Sequence, residues 1–133
     1  MSNGGLMSNL FIMKNYRNLI VWQKSHLLVL SVYEMTKKFP KEERYNLVSQ
    51  LRRAGTSVPT NIAEGCGKFT QRDFVNYLQT AFGSLQEVEY LSFLSFELAY
   101  VSNDDYKTIN FKINEAKAML ISLIKKIRND NNR

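Results

Sequence analysis

Tyr106, Ile109, Ile113, Ala116, Leu120, Leu123 and Ile127 follow one another at alternating steps of three and four. An α-helix turns once every ~3.6 residues, so this row lies along one face of a single long helix. A row this regular is the seam of a helical bundle or coiled coil. Ser102-Asn103-Asp104-Asp105 precede it as a cap with acids in the first turn. Lys125, Lys126 and Arg128 crowd its end, where cations suit the negative pole of the helix dipole.

Three further stretches show the same period. The first runs from about Tyr16 to Lys38, with Leu19, Trp22, His26, Val29 and Tyr33 as its apolar row. Leu27, Leu28, Leu30 and Val32 widen the arc, and Phe39-Pro40 ends it, because a residue before proline avoids the α region. The second begins near Glu42 with the row Leu47, Leu51, Gly55, Val58 and Ile62; Gly65-Cys66-Gly67 predicts a left-handed cap. Pro59 interrupts this pattern, since its ring presses on the carbonyl four residues back and offers no N–H. Residue 55 is a glycine, whose slack favours a kinked but continuous helix over a break at Thr56-Ser57 with Ser57 as a new cap.

The third stretch starts at Thr70-Gln71-Arg72-Asp73, which resembles a capping box with Asp in place of Glu. Phe74, Leu78, Ala81, Leu85, Val88, Ser92, Ser95 and Ala99 trace one face. Beyond Glu89 the back (Tyr90, Leu94, Val101) and the flank (Phe93, Tyr100) are apolar too. A helix apolar all round is buried all round, which in a small domain calls for a second chain. No stretch reads as a strand. Long helices joined by short links must turn back on one another. The expected fold is all-α: one antiparallel up-down-up-down four-helix bundle over residues 15–133. Residues 1–14 read as an N-terminal extension, disordered or foreign to the native chain.

Catalytic chemistry is hard to place. His26 is the only histidine and reads as a core or interface residue. Without a Glu-x-x-His pair, a di-iron bundle is not expected. Cys66 stands alone, which argues against a structural zinc site and a disulfide and suits a cytoplasmic setting. Gly65-Cys66-Gly67-Lys68 lacks the earlier glycine and the strand of a phosphate loop. No apolar run reaches the ~20 residues of a membrane span. The expectation is a protein with no cofactor, no metal, no membrane and no enzymatic activity.

The second helix carries a polar row beside its apolar one: Gln50, Arg53, Ser57, Asn61 and Glu64. Ser and Asn are poor interior helix formers unless their side chains find partners. The row reads as an inter-subunit polar seam, a phosphate contact or a solvated face, in that order.

Tyr16-Arg17-Asn18-Leu19, Val21-Trp22-Gln23-Lys24 and Phe39-Pro40 with Glu43 and Tyr45 resemble the start of the four-helix-bundle proteins encoded in intervening sequences of bacterial 23S ribosomal RNA. The block from Gln50-Leu51-Arg52-Arg53 through Ser57-Val58-Pro59 to Asn61-Ile62-Ala63-Glu64-Gly65 resembles that family's signature. Ala81, Gly83-Ser84-Leu85, Glu87 and Glu89 are similar to its third-helix motif. The resemblance spans about Asn15 to Ile127. It implies a left-handed bundle, a homopentamer and a link to RNA. A related protein is the accessory variability protein of diversity-generating retroelements, a basic pentameric bundle that binds nucleic acid and partners a reverse transcriptase.

The net charge of +6 is modest for one chain, and no single block is basic enough for a nucleic-acid tail, but several copies assembled together would multiply it. The expected function is a homo-oligomer that binds structured RNA or other nucleic acid through phosphate contacts. Arg52, Arg53, Lys68, Arg72, Lys125, Lys126 and Arg128 are the candidate contacts. Candidate subunit contacts are Gln50, Arg53, Ser57, Asn61, Glu64, Tyr90, Phe93, Leu94, Tyr100 and Val101. The alternative is a protein scaffold or adaptor with no nucleic-acid role.

Overall fold

The computed structural model describes residues 15–131, so the expected extension over 1–14 lies outside the described residues. Four helices make the fold: α1 (Ile20–Thr36), α2 (Leu47–Cys66), α3 (Gln71–Glu97) and α4 (Asn103–Asn131). Short 3-10 turns at Tyr16–Asn18 and Lys41–Glu43 precede α1 and α2. The described residues contain no strand. At 29 residues, α4 is about 44 Å long at ~1.5 Å per residue.

Cross-helix contacts fix the antiparallel order. Lys38 meets Asp105 at 3.5 Å and Lys112 meets Ser31 at 2.7 Å, while Asn18–Val21 face Ala118–Leu123, so α1 and α4 run oppositely. Ser57 meets Ser84 and Gly65 sits against Phe74 and Tyr77, which orders α2 against α3. Lys117 bonds Glu89 and Phe96 stacks on Tyr106, which orders α3 against α4. Each helix packs chiefly on its two neighbours in a closed square, with the α2/α3 contact the most extensive.

The core runs along the axis. Leu28 and Val32 of α1, Leu51, Val58 and Ile62 of α2, Leu78, Leu85 and Val88 of α3, and Ile113, Ala116 and Leu120 of α4 are fully buried. Removing such side chains from water supplies the main drive for folding. The rows read from α2 and α4 are the buried rows, apart from the half-buried Tyr106 and Leu123. As expected, α2 continues through Pro59, which is itself buried.

The stripe of α1 differs from expectation. Val21, Ser25, Leu28, Val29, Val32, Met35 and Thr36 face inward, whereas His26 is exposed and Trp22 half-buried. The helix is apolar on too many sides for periodicity to choose a face. Small hydroxyl residues take core positions instead: Thr36 Oγ1 donates to Val32 O at 2.8 Å and is satisfied within its own helix.

Two helix ends also differ. Gly67 caps α2 at φ −85°, and no described glycine has a positive φ. Gly65 serves packing instead. A Cβ there would lie 3.0 Å from Phe74 Cδ1 and 3.0 Å from Tyr77 Cβ, so its absence brings α2 and α3 together. The left-handed residue is Ala99, at φ 65° after α3. Tyr100 N donates to Ser95 O and Ala99 N to Phe96 O, both at 2.9 Å, the double bond of a Schellman motif. The helix therefore stops before Ala99, which is exposed rather than part of the inward row.

Candidate nucleic-acid interface and subunit contacts

The antiparallel order gathers three segments at one end of the bundle: the turn before α1, the α2–α3 link and the end of α4. Arg17, Lys68, Arg72, Lys125, Lys126 and Arg128 all lie there, against Glu64, Asp73 and Asp130. Arg72, Lys125, Lys126 and Arg128 are exposed. Lys68 Nζ stands 4.8 Å from the centroid of the Tyr77 ring. Among the described residues, none of these cations lies within ion-pair distance of a carboxylate; the pairs formed are Lys24–Glu115, Lys37–Glu34, Lys38–Asp105 and Lys117–Glu89. At the opposite end Glu42, Glu43, Asp104 and Asp105 offset the bases, although Lys41, Arg44 and Lys107 form no ion pair among the described residues. Lys38 is paired, and Glu43 accepts a 3.0 Å hydrogen bond from the Tyr100 hydroxyl, which holds that phenol's proton and raises its pKa.

Arg52 and Arg53 stand apart from that end. Arg52 is half-buried between α2 and α1, where Nε donates to Thr36 Oγ1 at 2.9 Å and the guanidinium lies 4.4 Å over the Tyr33 ring. Arg53 is exposed on another side of α2. The sequence signal at Arg52-Arg53 thus joins two side chains that point to different surfaces.

The polar row of α2 divides likewise. Ser57 Oγ lies 2.8 Å from Ser84 Oγ of α3, and Asn61 Nδ2 donates to Ser57 Oγ at 2.9 Å and Ser57 O at 2.8 Å. These residues join α2 to α3 within one chain; Ser84 is the partner that sequence reasoning missed. Gln50 bonds Asn46 at 3.0 Å, and Glu64 is exposed.

The expected apolar contact face of α3 is smaller than its sequence suggests. Val101 is buried in the chain's own core, because the link after α3 folds back over it. Leu94 and Tyr100 are half-buried and pack against that core, and Tyr100 sits 5.5 Å from Phe39, ring to ring. Tyr90 and Phe93 remain outside, at 60% and 45% exposure, with Ile121 of α4 at 41%.

No group of three or more His, Cys, Asp or Glu among the described residues is placed to hold a metal ion, and no described helix is long and apolar enough to cross a membrane. His26 stacks on Trp22 at 5.3 Å with an interplanar angle of 2° and is no core residue. Burial raises the Cys66 thiol from its ordinary 9.0 to about 11 and keeps it protonated at neutral pH.

The fold and its surfaces define an elongated antiparallel four-helix bundle with cations collected at one end. The family model for 23S rRNA-intervening sequence proteins matches residues 17–122, and the chain belongs to that family. A crystal structure of a protein of unknown function from the S23 ribosomal protein family of Bacteroides thetaiotaomicron is similar, with 30% identity and a TM-score of 0.74. The alignment covers 80% of this chain and 96% of that one. No curated protein matches.

Proposed function

We propose that this chain is a non-enzymatic, cytoplasmic homo-oligomer that binds structured RNA through phosphate contacts at its cationic end. The observation that carries this reading is that end itself, where Lys68, Arg72, Lys125, Lys126 and Arg128 stand without carboxylate partners among the described residues. Phosphate oxygens are the natural partners of such cations, and contacts to them position a nucleic acid without reading its sequence. Membership of a family named for 23S rRNA intervening sequences supports RNA as the polyanion. Tyr90 and Phe93, three residues apart on α3, supply exposed apolar surface for self-association, and a pentamer is the assembly we assign. Several copies side by side would multiply the field of each cationic end.

The test is a binding titration of a fluorescent RNA hairpin at rising salt. Four or five neutralised phosphates predict that affinity falls about 10²-fold or more between 50 and 200 mM salt. An affinity that stays flat, or no binding at the lower salt, removes the RNA reading and leaves a protein scaffold.

A further inference from the structure

We propose that the furrow between α1 and α2 is a docking groove for one helix of a partner protein. That helix is amphipathic, with an acidic residue at one end of its contact face and a basic residue about three turns away. The furrow runs along the side of the bundle between α1 and α2 and meets the cationic end at Tyr16 and Glu64. It includes a concavity of about 380 Å³ between Trp22, His26 and Val29 on one side and Pro59, Thr60 and Ala63 on the other. Its two threonine hydroxyls are already used. Thr56 Oγ1 donates to Arg52 O at 2.9 Å and Thr60 Oγ1 to Thr56 O at 2.7 Å, so these hydroxyls are satisfied within their own helix. The rest of the lining is mostly apolar and aromatic, with Tyr16 set edge-on to Trp22 at 4.9 Å, beside His26 and the Glu64 carboxylate.

The two ends of the furrow carry opposite charges. One turn above Thr56, Arg52 is held by Thr36 and by the Tyr33 face, and no described carboxylate lies within 4 Å of it. A guanidinium fixed in this way has lost little freedom still to lose when it takes a carboxylate. At the other end Glu64 is exposed, again with no ion-pair partner among the described residues. Twelve residues of helix separate the two, about 18 Å at ~1.5 Å per residue. A nucleic-acid backbone offers one sign of charge and would meet repulsion at Glu64. A helix with an acid and a base three turns apart satisfies both ends and covers the apolar floor between them. Trp, Tyr and Arg, the residues concentrated in this furrow, are those that dominate protein–protein contacts.

Trp22 is the only tryptophan, so its emission reports occupancy of the furrow. The probes are three tryptophan-free synthetic helical peptides of about 14 residues, enough for the about 18 Å span. They share a Leu/Ala face and carry Glu and Lys, Glu and Glu, or Lys and Lys at its two ends. The expected result is a shift in Trp22 emission with the Glu/Lys peptide, bound about 10-fold more tightly than the other two. Glu64→Lys, at an exposed position, should move the preference to the Glu/Glu peptide. Arg52→Glu should move it to Lys/Lys. Equal binding of the three peptides, unmoved emission, or preferences unchanged in Glu64→Lys would overturn the proposal. So would an emission shift on diluting the protein alone, which would place a second copy in the furrow, or one caused by the RNA hairpin. The salt titration above is independent of these outcomes, so either idea can fail without the other.

Discussion

Two residues carry opposite demands on the backbone, and each yields a measurable expectation. Gly65 has ordinary helical geometry but little room for a methyl group: a Cβ there would lie 3.0 Å from Phe74 Cδ1 and from Tyr77 Cβ. Gly65→Ala should cost about 1–3 kcal/mol as the α2/α3 contact is forced apart, read as a lower urea midpoint. Ala99 is the reverse: it has space but a left-handed backbone at φ 65°. Ala99→Gly should stabilise the fold by about 0.5–1 kcal/mol in the same assay, since the Schellman turn favours glycine. Only the first position was partly legible. The Gly-Cys-Gly run does mark the end of α2, but sequence gives no sign that one glycine is there for contact. Nothing in Leu98-Ala99-Tyr100 announces a left-handed residue. Cys66 follows from burial. Its folded pKa of about 11 lies above the ordinary 9.0, so protonation favours the native state below about pH 9, and stability falls as pH rises from there through 11. The native protein should resist iodoacetamide at pH 8 and react once unfolded in urea.

Among the elements, α3 shows a cap that sequence specified and structure uses. Thr70 Oγ1 accepts the Asp73 N–H at 3.1 Å. Thr70→Ala should lower stability by about 1 kcal/mol, measured by urea unfolding, because one end N–H loses its acceptor. Helix α4 was legible in its main row, since charged and amide residues fill most of its other positions, although Ile124 is buried outside that row and Phe111 and Ile121 stay exposed. Helix α1 was not. Leu27, Leu28, Val29 and Leu30 are consecutive, so every direction offers an apolar residue, and the inward stripe is settled by which side chains fit. Ser25 takes a fully buried place there, while Leu27 and Leu30 stay half outside. The polar row of α2 was visible as unusual, but its partner Ser84 lies on another helix, and spacing within one helix cannot name a residue across a gap.

At the scale of the whole molecule, the up-and-down path sorts charge by end without any single basic segment. The sequence carries its cations in separate blocks, and only chain reversal brings Lys68 and Arg72 beside Lys125, Lys126 and Arg128. Self-association is tested best where a charge leaves the monomer's core intact. Tyr90→Glu together with Phe93→Glu should reduce the mass seen by light scattering to that of one chain while far-ultraviolet circular dichroism holds, because both side chains are largely outside. Leu94 packs against the core and would confuse dissociation with unfolding. An even number of passes also returns the path to where it began: Asn15 and Asn131 lie at the same end as the lysines and arginines. A fluorophore, affinity handle or fused domain attached directly at Asn15 or Asn131 would therefore crowd the surface assigned to RNA. The link around 98–102, at the far end of the rod, is the place from which a reporter can watch without standing in the way.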